Sequence, residues 1–96
     1  MTKRRVVVTG MGIVSPVGSA VETAWTNILA GRSGIGLVTA FDAGDLPVRI
    51  GGAVKDFQVE RYLNPKEAKK MDTFIHYGIG AAAQAIRDAE LEITEA

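Results

Sequence analysis

Cysteine is absent from this 96-residue chain. That excludes a disulfide framework, a thiolate metal site and a cysteine nucleophile within these residues. Histidine occurs once, as His76, and no cluster of His, Asp and Glu has metal-ligand spacing. Net charge is missing as well. Eleven Lys and Arg balance eleven Asp and Glu, so no overall field gathers nucleic acid or a membrane surface. No apolar run approaches the roughly 20 residues that cross a bilayer. Lys3, Arg4 and Arg5 lead into only three valines, too few for a signal-peptide core. These absences predict a soluble, cytoplasmic protein with no nucleic-acid or membrane partner.

What is present is ordinary for a globular chain, 47% apolar and 23% charged. The length allows one small domain. Such a domain buries only roughly 60–65% of its unfolded surface, so its stability is marginal.

Val6, Val7 and Val8 are β-branched, follow charge and precede glycine, a pattern that predicts a buried strand. A helix should follow. Ser19 and Glu22 fit a capping box, and Val21, Ala24, Trp25, Ile28 and Leu29 fall on one helical face. Gly31 suits a left-handed C-terminal cap, and GRSGIG should be a loop. Leu37 to Pro47 is ambiguous, with turn residues Asp42, Gly44, Asp45 and Pro47. Val48 to Val54 predicts a second strand, weakened by Gly51 and Gly52. FQVERYL suits a short helix.

The best-marked element opens at Asn64, a good N-cap, with Pro65 at the first helical position and Glu67 placed as in a capping box. Ala68, Met71, Ile75, Ile79, Ala82, Ala83 and Ile86 then recur at helical spacing. The pattern predicts one helix from Pro65 to about Ala89, roughly 25 residues and about 37 Å long. Gly78, Gly80, Ala81 to Ala83 and Ala85 leave it little bulk. Each internal glycine costs about 1 kcal/mol against alanine, which close packing against another layer would offset. One further helix and two weak strands do not supply that packing. The chain is therefore expected to be an amino-terminal fragment that folds poorly alone.

Three features bear on chemistry. Gly10 and Gly12 begin a Gly-x-Gly-x-x-Gly dinucleotide fingerprint, but Ser15 takes the third position and Pro16 disfavours a helix through it. A structural glycine turn is the better reading. His76 shares a predicted helix face with Asp72 and Thr73, yet a threonine inside a helix is a poor nucleophile and no oxyanion hole is indicated. A packed or half-exposed helical histidine is expected. Lys66, Lys69 and Lys70 lie at i, i+3 and i+4, in the first turns of the predicted helix, where its dipole disfavours positive charge. They form either a solvated face or a docking site for an acidic partner or phosphate.

RRVVVTGMGIVSPVG, AWTNILAGRSGI, FDAGDLP, KDF and KKMDTFIHYGIGAAAQAI occur in the order found at the amino terminus of the β-ketoacyl-[acyl carrier protein] synthases. The ordered set covers essentially the whole chain, and its SPVG form most resembles the elongating type II members. The resemblance implies an α/β, thiolase-like layered αβαβα fold, of which residues 1–96 would be a partial amino-terminal half and no complete domain. VVVTGMGIVSP would be the first strand of a central sheet. The implied reaction is a decarboxylative Claisen condensation in fatty-acid elongation, without a cofactor, by a homodimer. The family's catalytic cysteine and two histidines would lie beyond Ala96, and His76 matches none of them, so the chain alone is expected to be inactive. Lys66, Lys69 and Lys70 match positions at which elongating synthases dock the acidic acyl carrier protein. Two alternatives stay open: a catalytically silent chain-length-factor or polyketide synthase relative, and a dinucleotide-binding fragment.

Overall fold

A computed structural model describes residues 3–95 of the chain. Its first regular element is helix α1, Val21–Leu29. Ala20 is its N-cap, in extended conformation and without a side-chain cap bond. The expected Ser19 capping box is not formed. The Ser19 hydroxyl donates instead to the carbonyl of Lys55 at 3.3 Å, so a long-range contact has outcompeted the local one. The far end follows expectation. Gly31 has φ +70°, and the amides of Gly31 and Arg32 reach back to the carbonyls of Ile28 and Asn27 at 3.0 and 2.9 Å. That pair of bonds is a Schellman motif, which satisfies carbonyls a helix end leaves free.

Strands β1, Ile35–Leu37, and β2, Ile50–Gly52, pair antiparallel with Ile35 opposite Gly52 and Leu37 opposite Ile50. The last two residues of the predicted GRSGIG loop thus open a strand, and the predicted Val48 to Val54 strand keeps only its centre. Within the intervening loop an Asx turn forms, with the Gly44 amide donating to Asp42 Oδ1 at 3.0 Å. FQVERYL yields a single 3-10 turn, Val59–Arg61.

The long helix is broken in two. Helix α2 is Pro65–Ala68, helix α3 is Thr73–Asp88, and residues 69–72 are not helical. Asn64 caps α2, accepting the Glu67 amide at 2.9 Å. Asp72 stands extended at φ −73°, ψ 160° and opens α3 as a second N-cap residue. Aspartate is a favoured residue at that position, yet its side chain makes no cap hydrogen bond here, so the new start is marked by backbone conformation alone.

Val6–Val8 form no strand. They are 91%, 68% and 80% exposed. A β-branched run favours extended backbone, but a strand also needs a neighbour, and among the described residues β1 and β2 pair only with each other. The same shortage of partners holds throughout. Ala24 and Ala43 alone are buried apolar side chains among the described residues, while Trp25, Ile35, Leu37, Phe41 and Phe74 are each more than half exposed. The radius of gyration is 17.3 Å, against about 12.5 Å for a compact domain of this length. Accessible surface is 8274 Å², against about 5300 Å² for a compact chain of this mass. No helix of the described residues is long and apolar enough to cross a membrane.

Candidate docking face

The glycine segment and the basic cluster, the two places where the sequence suggested a ligand, are treated very differently by the fold. Residues 10–13 lie across α3. A Cβ on Gly12 would fall on the carbonyl oxygen of Ala81 and 2.8 Å from Gln84 Cβ. A Cβ on Gly10 would meet the Ala85 carbonyl and come within 2.6 Å of the Ala89 amide nitrogen. Both glycines therefore serve close passage of two backbones.

The amides that would cradle a phosphate are already used. The Met11 amide donates to Asp88 Oδ2 at 3.0 Å, and the Ile13 amide donates to Gln84 Oε1 at 3.1 Å. A carboxylate beside Met11 also repels an anion. The dinucleotide alternative fails on this geometry.

SPVG closes on itself. Ser15 and Gly18 exchange both backbone hydrogen bonds, at 2.9 and 3.1 Å, and the Ser15 hydroxyl donates to the Gly18 carbonyl at 3.0 Å. Pro16 at the second position pre-sets such a turn. Asn27 of α1 donates to the Val17 carbonyl at 2.6 Å and fixes the turn to the helix.

Two polar side chains that sequence reasoning passed over organise this region. Gln84 accepts from Ile13 and donates to the Ser19 carbonyl at 2.7 Å and to the Tyr62 hydroxyl at 3.2 Å. Lys55 Nζ donates to the carbonyls of Pro16, Gly34 and Ala53 at 3.1–3.4 Å. Gln84 sits in an alanine-rich helix with nothing to distinguish it from a solvated residue. Only the KDF pattern pointed near Lys55. Next in that pattern, Asp56 has φ +58°, and Phe57 stacks on Tyr62 and meets Tyr77 edge-on, with centroids 5.7 and 5.1 Å apart. A polar cavity of about 280 Å³ opens between Pro16, Ser19, Asn27, Lys55, Asp56 and Arg61. Its lysine is committed to backbone carbonyls, so it is not free to bind an anion.

The basic residues are brought together by α2. Lys66 lies in it, Lys69 is its C-cap and Lys70 follows, and all three are exposed. Their electrostatic setting differs from the sequence expectation. Because α2 ends at Ala68, Lys69 is the C-cap of a one-turn helix, where positive charge is tolerated or favoured, while Lys66 stays in its first turn, next to Pro65. The conflict with a helix dipole is relieved at Lys69 alone, since Lys66 is in the first turn of α2 and Lys70 lies two residues before the N-cap of α3. What remains is an exposed turn where, over residues 61–70, Arg61, Lys66, Lys69 and Lys70 face one opposing charge, Glu67. Arg61 lines the 280 Å³ cavity but none of the three lysines does, so the lysines suit a surface-to-surface contact rather than a small ligand.

His76 is half-buried on α3, with a ring nitrogen 2.9 Å from the carbonyl oxygen of Ala68. Among the described residues, no group of His, Cys, Asp and Glu could hold a metal ion.

Comparison with known proteins gives a consistent picture. The family described as "Beta-ketoacyl synthase, N-terminal domain" matches residues 3–96. The 3-oxoacyl-[acyl-carrier-protein] synthase 2 of Vibrio harveyi is 55% identical over 95 residues, 99% of this chain and 23% of that relative. The protein of the same name from Synechocystis sp. is 48% identical over 95 residues, again 99% and 23%. A solved structure titled "The ishigamide ketosynthase/chain length factor" superposes with a TM-score of 0.84 at 34% identity, over 95% of this chain and 23% of that one. The chain thus spans about a quarter of the length of the proteins it matches.

Proposed function

The chain belongs to the beta-ketoacyl synthase family, and from that premise we propose that it is the amino-terminal part of a 3-oxoacyl-[acyl carrier protein] synthase. Its fold is thiolase-like α/β. The observation that carries the reading is 55% identity along 95 residues to a 3-oxoacyl-[acyl-carrier-protein] synthase 2. In the proposed reaction a cysteine thiolate accepts the acyl chain from its carrier. Malonyl decarboxylation releases carbon dioxide, and the resulting carbanion attacks the acyl thioester and expels the thiolate. The 96 residues contain no cysteine, so the nucleophile belongs to another part of the protein. Their contribution is scaffold and docking. The exposed Val6–Val8, the exposed apolar faces and the large accessible surface support the proposal that these residues are a partial half-domain completed by further chain. A cytoplasmic homodimer is part of the same proposal.

Docking is the role assigned to Lys66, Lys69 and Lys70. They are exposed and fall within residues 66–70, which hold one acidic residue, Glu67. An acidic carrier protein is the partner such a face steers and orients. In the full-length protein, replacing all three lysines with glutamate should weaken carrier-protein affinity by at least about tenfold at low salt and flatten its salt dependence. Titration calorimetry across a salt series reads both quantities. Unchanged affinity with an unchanged salt slope would reject the docking role.

A chain-length-factor reading is equally consistent with the neighbour titled as a ketosynthase/chain length factor, which superposes at TM-score 0.84. A radiolabelled condensation assay on the full-length protein separates the two. A catalytically silent partner makes no 3-oxoacyl product on its own.

A further inference from the structure

Helix α2 is a single turn, and a turn that short is not self-supporting. Two side chains brace it. At its start Asn64 caps the Glu67 amide. At its end the Ala68 carbonyl meets His76, eight residues along the chain and in the first turn of α3. A carbonyl oxygen can only accept, so Nε2 of His76 carries the proton and donates it. The Met71 amide reaches the same oxygen at a longer 3.3 Å. The imidazole therefore spans the non-helical residues 69–72 and ties the carbonyl end of α2 to a helix of 16 residues. That longer helix is itself held to residues 11–19 through Gln84 and Asp88. Lys69 and Lys70 directly follow the tethered carbonyl, and Lys66 precedes it by two residues.

We propose that His76 is a positioning residue for the basic turn. Through the Ala68 carbonyl it fixes how α2 stands on α3, and so aims Lys66, Lys69 and Lys70 at the acidic carrier protein. The inference rests on the docking role proposed above and adds the element that orients it. A pre-set turn loses less conformational freedom on binding than a loose one, and that saving appears as affinity.

Two substitutions in the full-length protein test it. His76→Phe keeps a ring of similar size and removes the donor. His76→Gln keeps an N–H at about the reach of Nε2. Carrier-protein affinity at low salt should fall about three- to tenfold in His76→Phe, the effect of one lost hydrogen bond, and stay within about twofold of the parent in His76→Gln. The nitrogen-15 spectrum of the parent ring should place the proton on Nε2. If the lysine-to-glutamate protein binds weakly while His76→Phe binds as the parent does, the positioning role is wrong and the docking face stands. If the lysine substitutions change nothing, both fall. His76→Gln binding as weakly as His76→Phe also overturns the proposal, since bulk alone would then explain the loss. Should His76→Phe not fold, the Gln variant and the ring spectrum decide, and a proton on Nδ1 counts against it.

Discussion

Residues 10–18 and residues 65–70 are both short, irregular and rich in sequence signals, yet the fold uses them in opposite ways. In the first, the amides of Met11, Ile13, Ser15, Val17 and Gly18 find partners inside the chain. Asp88 and Gln84 take two amides, Ser15 and Gly18 take each other, and Asn27 takes the Val17 carbonyl. In the second, the backbone is braced at both ends while the charged side chains stand in solvent. A segment whose groups are consumed internally is scaffold, however suggestive its motif. A segment that is held still while its charges remain free has the properties of a contact surface. Substitutions in the first should be read in stability, and those of the basic side chains in binding.

The largest expected effect is at Gly12. In Gly12→Val the new Cβ lands on the Ala81 carbonyl oxygen, a backbone atom that cannot swing away. The full-length protein should lose about 3 kcal/mol, the upper range of overpacking penalties, measured by denaturant unfolding. A loss below about 1 kcal/mol, small for an overpacked site, would show that residues 10–13 do not press on α3. The second effect is at Gln84. Leucine there has similar bulk but strands the Ile13 amide and the Ser19 carbonyl, both part-buried. Stability should fall by about 2 kcal/mol. An unchanged midpoint would mean water replaces the side chain, and the contrast between the two segments would weaken accordingly.

The contrast also marks what the sequence made legible. Local chemistry was. Asn64, Pro65 and Gly31 do what their residue types favour, because each acts on atoms within a few positions. Composition and ordered motifs were enough for the family and the fold. Three things were hidden, and each is set by distant residues. Ser19 gives up a capping box for the Lys55 carbonyl, 36 residues away. Val6–Val8 have strand chemistry without a neighbouring strand among the described residues. The predicted 25-residue helix breaks before Asp72, although its apolar spacing continues, because periodicity records which face is apolar and not where the axis turns. That break decides the candidate site, since it takes the three lysines off the head of a long helix and places them in and just after a one-turn one.

The smallest effect is the one that tests whether α2 is held still. Asn64→Ala removes the side-chain oxygen that accepts the Glu67 amide. An exposed cap of this type contributes about 1 kcal/mol to its own helix. Because α2 is short and open to solvent, most of that loss should stay local and leave the global unfolding midpoint nearly unmoved. Hydrogen exchange resolves it. The Glu67 amide should exchange about fivefold faster, the rate equivalent of that loss, while amides in the middle of α3 keep their protection. Equal acceleration in α3 would mean that the turn and the long helix open as one unit. In that case bracing at Asn64 and at Ala68 could not be separated, and the turn would be part of the scaffold rather than a surface mounted on it.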